Sequence, residues 1–136
     1  MSVRYLADTN ILLRFLSGEP PAQAAAARKL FERAANGEVT LEIPPLIVAE
    51  AYYTLVSFYK VERKQAAEKL AMLLQQHGVK LGEENVVLAA LERLQTANIG
   101  FSDAYLAASA GQERITVASF DRDFDKLGVA RYEPQS

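Results

Sequence analysis

Two periods of apolar spacing alternate along the chain. Val3–Ala7 is a short apolar run that stops at Asp8, which predicts a buried strand. Asn10–Ser17 has helical spacing, and Gly18 behind it is a stop. Pro20-Pro21 opens a second helix, since proline is tolerated in a first turn, and Asn36-Gly37 closes it. Val39–Ile43 alternates and is β-branched, so it is expected to be a strand. Pro44-Pro45 opens a third helix that reaches about Tyr59. Glu62–Gln76 is a fourth, with Ala66, Leu70, Leu73 and Leu74 at helical spacing and Gly78 after it. Val79–Leu81 predicts a short strand, and Glu84–Ala97 a helix with Val87, Leu88, Leu91 and Leu94 inward. Ser102–Ala110 predicts a helix closed by Gly111, followed by strands at Ile115–Ala118 and Val129–Tyr132. Strands alternating with helices from end to end argue for an α/β domain around a mostly parallel sheet. Ligands of such folds sit outside the carboxyl ends of the strands, so polar residues falling there carry the chemistry.

Composition narrows the classes. The 136 residues make a single domain, 1–136, with half the positions apolar and 24% charged. No cysteine is present, which removes disulfides, thiolate catalysis and iron–sulfur clusters. His77 is the one histidine and precedes Gly78 at a helix end, where it complements terminal carbonyls. No uncharged run exceeds ten residues, against the ~20 a membrane-spanning helix needs. Asp8 follows Arg4 too closely for a secretory signal, so a cytoplasmic protein is expected. Fifteen Lys and Arg against 17 Asp and Glu give a net charge of −2. Any nucleic acid must therefore be met by local basic groups, or by cations that offset the phosphates.

The acids fall where ligands are expected. Asp8 follows the first strand, and Asp121, Asp123 and Asp125 follow the Ile115–Ala118 strand. Asp103 lies in the first turn of a helix. Each has a plain structural role open to it: Asp8 as a helix cap, Asp103 as a partner of the helix dipole, and the last three as a solvated turn. Glu50 lies in Leu46-Ile47-Val48-Ala49-Glu50-Ala51-Tyr52-Tyr53, apolar nearly all round and so expected to be mostly buried. A buried unpaired carboxylate costs several kcal/mol, and no basic residue occurs between Pro44 and Tyr59. Four carboxylates from four segments converging on one end of a sheet repel one another, and divalent magnesium or manganese relieves that. Tyr52, Tyr53, Phe58 and Tyr59 on the same helix are expected in the core or in a dimer interface rather than stacked on bases.

Four segments resemble, in order and spacing, those of PIN-domain proteins, and within them the VapC toxins of toxin–antitoxin pairs. They are Tyr5-Leu6-Ala7-Asp8-Thr9-Asn10-Ile11-Leu12-Leu13-Arg14, Pro44-Pro45-Leu46-Ile47-Val48-Ala49-Glu50, Phe101-Ser102-Asp103-Ala104-Tyr105-Leu106-Ala107-Ala108 and Val117-Ala118-Ser119-Phe120-Asp121-Arg122-Asp123-Phe124. The resemblance implies a three-layer α/β/α domain and a Mg²⁺- or Mn²⁺-dependent endoribonuclease. Asp8, Glu50, Asp103 and Asp121 would bind metal, with Asn10 and Ser119 orienting the site. A metal-activated water would cleave RNA, leaving a 5′-phosphate and a 3′-hydroxyl. Arg14 and Arg122 are expected to contact substrate phosphate, and Asp123 to be an auxiliary ligand. The resemblance further implies a homodimer and a VapB-type antitoxin that pushes an arginine into the acidic site. Operator DNA would be bound only through that antitoxin.

Other motifs fail on their own terms. Asp121-x-Asp123-x-Asp125 opens like a calcium loop, but Lys126 stands where glycine is required and Tyr132 where glutamate is expected. Phosphate-cradling glycine motifs and a G-x-S-x-G elbow are absent. A housekeeping PIN nuclease of RNA maturation, a non-catalytic RNA- or protein-binding module and a small-ester hydrolase remain open on the sequence.

Overall fold

The structure is a computed structural model describing residues 3–135. The strands are β1 (Val3–Leu6), β2 (Val39–Ile43), β3 (Val79–Leu81), β4 (Val117–Ala118) and β5 (Arg131–Tyr132). The helices are α1 (Thr9–Ser17), α2 (Pro21–Ala35), α3 (Pro45–Ser57), α4 (Arg63–Leu74), α5 (Glu84–Thr96) and α6 (Phe101–Glu113). A 3-10 helix, Arg122–Leu127, lies between β4 and β5. β1, β2 and β3 pair in that order, all parallel, with Tyr5 opposite Leu41 and Leu41 opposite Val79. The α/β domain expected from the alternation is found, and its helices and parallel sheet fit the α/β/α form that the resemblance implied.

The helices form where the termini permit. Asp8 caps α1, its Oδ1 accepting from the backbone N–H groups of Asn10 and Ile11 at 3.0 and 3.3 Å. Gly18 closes that helix in the left-handed region at φ +75°. Prolines occupy the first helical positions of α2 and α3, where the missing N–H has no intrahelical partner to lose. Ala24, Ala27, Phe31 and Ala34 form the buried stripe of α2. The core joins Leu12 of α1, Leu41 and Ile43 of β2, Val48 and Leu55 of α3, Leu70 and Leu73 of α4, and Val87 and Leu91 of α5. Each such burial is worth about 1.5–3 kcal/mol before entropy is counted.

Three expectations need correction. β4 and β5 pair with each other in a separate two-stranded parallel sheet rather than extending the first one. In consequence β1 is an edge strand, and Val3–Leu6 is exposed throughout instead of buried, Leu6 to 76%. Gly111 does not stop α6, which continues to Glu113 and turns off at Arg114 in the left-handed region. One exposed glycine inside a helix costs about 1 kcal/mol, too little to end it.

Gly78 fixes the approach of β3 to α2. It sits at φ +87°, and a Cβ there would stand 2.2 Å from the Ala34 carbonyl oxygen. Gly78→Ala is expected to cost more than ~2 kcal/mol, because the left-handed strain of roughly 1–2 kcal/mol is joined by a clash with backbone. Gly18→Ala, strained but with open space around it, should cost only about 1 kcal/mol. Urea unfolding of both variants reads the difference, and equal losses would remove the Ala34 contact from the account.

Candidate active site

Each predicted acid lies where a chain segment leaves the sheet or opens a helix. Asp8 follows β1, Asp121 follows β4, Glu50 lies in the second turn of α3 after β2, and Asp103 lies in the first turn of α6. Glu50 is exposed, not buried. The apolar face of α3 is carried by Val48, Ala51, Tyr52 and Leu55, so Glu50 needs no buried counter-charge. Its Oε2 accepts from the Thr9 hydroxyl at 2.5 Å, which ties it to the start of α1 beside Asp8. Thr9 is a site residue that sequence reasoning passed over, although it stands between two residues that were singled out. The available signal was a hydroxyl in the first turn next to a candidate acid.

Asp103 belongs to a second group. Its carboxyl is held above its ordinary value, first by burial and then by the negative charges of Asp121 and Asp123. Ser119 lies against this group: its Oγ accepts from the Asp121 backbone N–H at 2.9 Å. Asp121 Oδ1 then accepts from the Asp123 N–H at 2.8 Å, capping the 3-10 helix. Glu50 also lines a cleft of about 640 Å³, in which it faces, with Tyr53 and Thr54 of α3, Gly100, Phe101 and Ser102 at the start of α6, the residues just before Asp103.

Other candidates have different surroundings. Arg14 Nε donates to Gln23 Oε1 at 3.0 Å, and one of its terminal nitrogens to the Tyr59 hydroxyl at 3.2 Å, so it ties α1 to α2 and to the end of α3. Asn10 gives its backbone N–H to Asp8, and it lines a cleft between α1 and α2. Arg122 and Asp123 are exposed beside Asp121. Asp125 is taken up structurally: Arg131 donates to both of its carboxylate oxygens, at 3.0 and 3.2 Å, and holds it below its ordinary value. Of the α3 aromatics, Tyr52 is buried and Tyr59 half-buried, whereas Tyr53 and Phe58 are exposed.

Among the described residues no three of His, Cys, Asp and Glu form a ready-made metal cage. The acids stand as two neighbouring groups. Their donor chemistry still fits a hard divalent cation, because magnesium is usually held by one or two carboxylates together with substrate phosphates and waters. The repulsion recorded at Asp103 is the strain such a cation relieves.

Fold and site together define an α/β domain with acids after two of its strands and in two of its helices. A PIN domain family model matches residues 5–130, and the chain belongs to that family. It is also 28% identical over 130 residues to a VapC ribonuclease of Aquifex aeolicus (strain VF5), covering 95% of this chain and 96% of that protein. Among the described residues no helix is long and apolar enough to cross a membrane.

Asp103 gives a signed pH prediction. Its folded carboxyl titrates above its unfolded one, so its contribution is fully present below the unfolded value and is lost as pH rises through the folded value. Asp103→Asn is therefore expected to raise the melting temperature of metal-free protein at neutral pH. Solvent screening limits the gain to roughly one or two degrees. The gain should vanish once the pH is below the carboxylate range. Thermal scans in EDTA across that range check it, and a variant melting lower at neutral pH would contradict the repulsion.

Proposed function

We propose that the chain is a divalent-metal-dependent endoribonuclease acting as the toxin of a type II toxin–antitoxin pair. The observation that carries this reading is the pair of acidic groups, with Glu50 held beside Asp8 and Asp103 in the field of Asp121 and Asp123. It stands on a chain similar over nearly its whole length to a VapC ribonuclease. Asp8, Glu50, Asp103 and Asp121 are the residues that would hold Mg²⁺ or Mn²⁺. Such a cation, when bound, neutralises phosphate charge and acidifies an attacking water. The chain's own contribution is placement. Asp8, Glu50 and Asp121 each have one carboxylate oxygen anchored by a hydrogen bond from the chain. Asp123 supplements the negative charge at Asp103, and Arg122, exposed beside Asp121, would meet a substrate phosphate.

A VapB-type antitoxin that inserts an arginine among the acids would silence the site and carry the complex to operator DNA. The same reading includes a homodimer. Leu46 and Tyr53 on α3 are 70% and 73% exposed, and Leu106 on α6 is exposed beside Leu46 across a second cleft. Large apolar groups set together in this way suit burial against a second copy.

Purified protein free of antitoxin is expected to cut cellular RNA into discrete fragments with Mg²⁺ or Mn²⁺ and not with EDTA. Asp8→Asn, Asp103→Ala and Asp121→Asn should each lower the rate more than about a hundredfold, beyond the ~10–100-fold that outer-shell partners cost. Thr9→Val, which removes only the hydroxyl on Glu50, should fall within that smaller range. Wild-type rates in Asp8→Asn would sink the carboxylate assignment. Light scattering should give twice the chain mass, reverting to a single chain in Leu46→Glu/Tyr53→Glu. A single-chain mass for the wild type would remove the dimer.

A further inference from the structure

The cleft between α1 and α2 encloses about 460 Å³, within the roughly 300–1,000 Å³ usual for small-ligand sites. It lies apart from the acidic groups but begins beside one of them. Asn10, at its α1 wall, gives its backbone N–H to Asp8 Oδ1 at 3.0 Å. Ile11, Ala27 and Leu30 make an apolar floor, while Arg14, Lys29 and Arg33 line it and no acid does. In a chain of net charge −2 this is a concentration of positive charge against the trend. Arg14 is committed to Gln23 and Tyr59, so it forms a fixed wall. Arg33 has only a loose ion pair, 3.9 Å to the exposed Glu38. Lys29 has no ion pair among the described residues and lies one helical turn before Arg33 on the same face of α2.

We propose that this cleft seats a nucleotide of single-stranded RNA next to the scissile phosphate. This rests on the nuclease reading. The base lies against Ile11, Ala27 and Leu30, with the Asn10 amide available to its polar edge. Lys29 and Arg33 take the flanking phosphates. Charge complementarity selects this occupant. Apolar floors accept any base face, and phosphates are met by lysine and arginine rather than by a net-negative surface. An acidic site that must receive a polyanion needs such a basic lead-in beside it.

The test is binding of a short fluorescein-labelled single-stranded RNA by the full chain in an Asp8→Asn background, read by anisotropy over a salt series. Each lost phosphate contact on a single strand lowers the salt slope by about 0.7, so Lys29→Ala/Arg33→Ala should lower it by about 1.4 and weaken binding roughly tenfold at moderate salt. Lys64→Ala/Lys69→Ala, exposed on α4, is the control and should change neither. Ala26→Trp, which fills the cleft, should raise KM for RNA cleavage with kcat kept. An unchanged slope and affinity in the Lys29/Arg33 pair overturns the proposal and leaves the cleft to a protein partner. Failure of the wild type to cut RNA, with the slope falling as expected, overturns the nuclease reading and leaves the RNA seat standing.

Discussion

Negative charges set together repel, as Asp103 does with Asp121 and Asp123, and the chain holds its candidate acids in place locally. Asp8, Glu50 and Asp121 are each fixed by donors the chain supplies at that point. Asp8 spends Oδ1 on two backbone N–H groups at the head of α1, and Glu50 spends Oε2 on Thr9. Asp121 is gripped from both sides, by Ser119 through its N–H and by Asp123 through its carboxylate. Hydrogen bonds to an ionised carboxylate stabilise the charged form and offset part of the repulsion. Asp103 has helix-dipole support in the first turn of α6 but no cap of its own, and its carboxyl is held above its ordinary value, first by burial and then by the charges of Asp121 and Asp123. The capping reading and the catalytic reading of these acids are therefore compatible. At Asp8, Glu50 and Asp121 one carboxylate oxygen is held by the local fold, which is compatible with the proposed role for the other.

The same division explains which expectations transferred from sequence to structure. Helix starts were legible because they are set by neighbours in the chain, Asp8 before α1 and Pro20-Pro21 and Pro44-Pro45 before α2 and α3, whereas α4 stops at Leu74 with Gln75 as its cap, ahead of the Gly78 expected to end it. Strand register and exposure were not, because they depend on which strand lies alongside. Val3–Leu6 has the composition of a buried strand and is an edge, since β4 pairs with β5. Glu50 misled for a related reason. A helix rich in apolar residues was read as buried all round, yet α3 sends Leu46, Tyr53 and Phe58 outward along with Glu50. Glu50 is exposed, so the argument from desolvation does not apply to it.

Cations were harder to assign than acids, because an arginine reaches far enough to choose among several partners. Arg14 lies close in sequence to Asp8 and looked like a phosphate ligand. Its guanidinium instead joins Gln23 and Tyr59, which brace α1 against α2 and the end of α3. Arg131 was not singled out at all, yet it grips Asp125, Glu133 and the Ser119 carbonyl. That grip holds the segment carrying Asp121 to β5, so Asp125 serves the site by anchoring rather than by ligating. No sequence spacing distinguishes Asp125 from Asp123; only the partner across the turn does.

The net charge then takes on a different meaning. A value of −2 argued against a protein that meets nucleic acid by bulk attraction. The structure separates the charges instead of averaging them: acids at the strand ends, and Lys29 and Arg33 one turn apart on α2 beside a cleft without acids. At physiological salt, fields fade over about 8 Å, so a polyanion responds to the nearest charges and not to the total. Near-neutral composition and contact with a phosphate backbone are consistent whenever the basic groups lie within that distance of the strand's path. The α1 helix links the two regions directly, with Asp8 capping its first turn and Asn10 and Arg14 lining the basic cleft on the turns that follow.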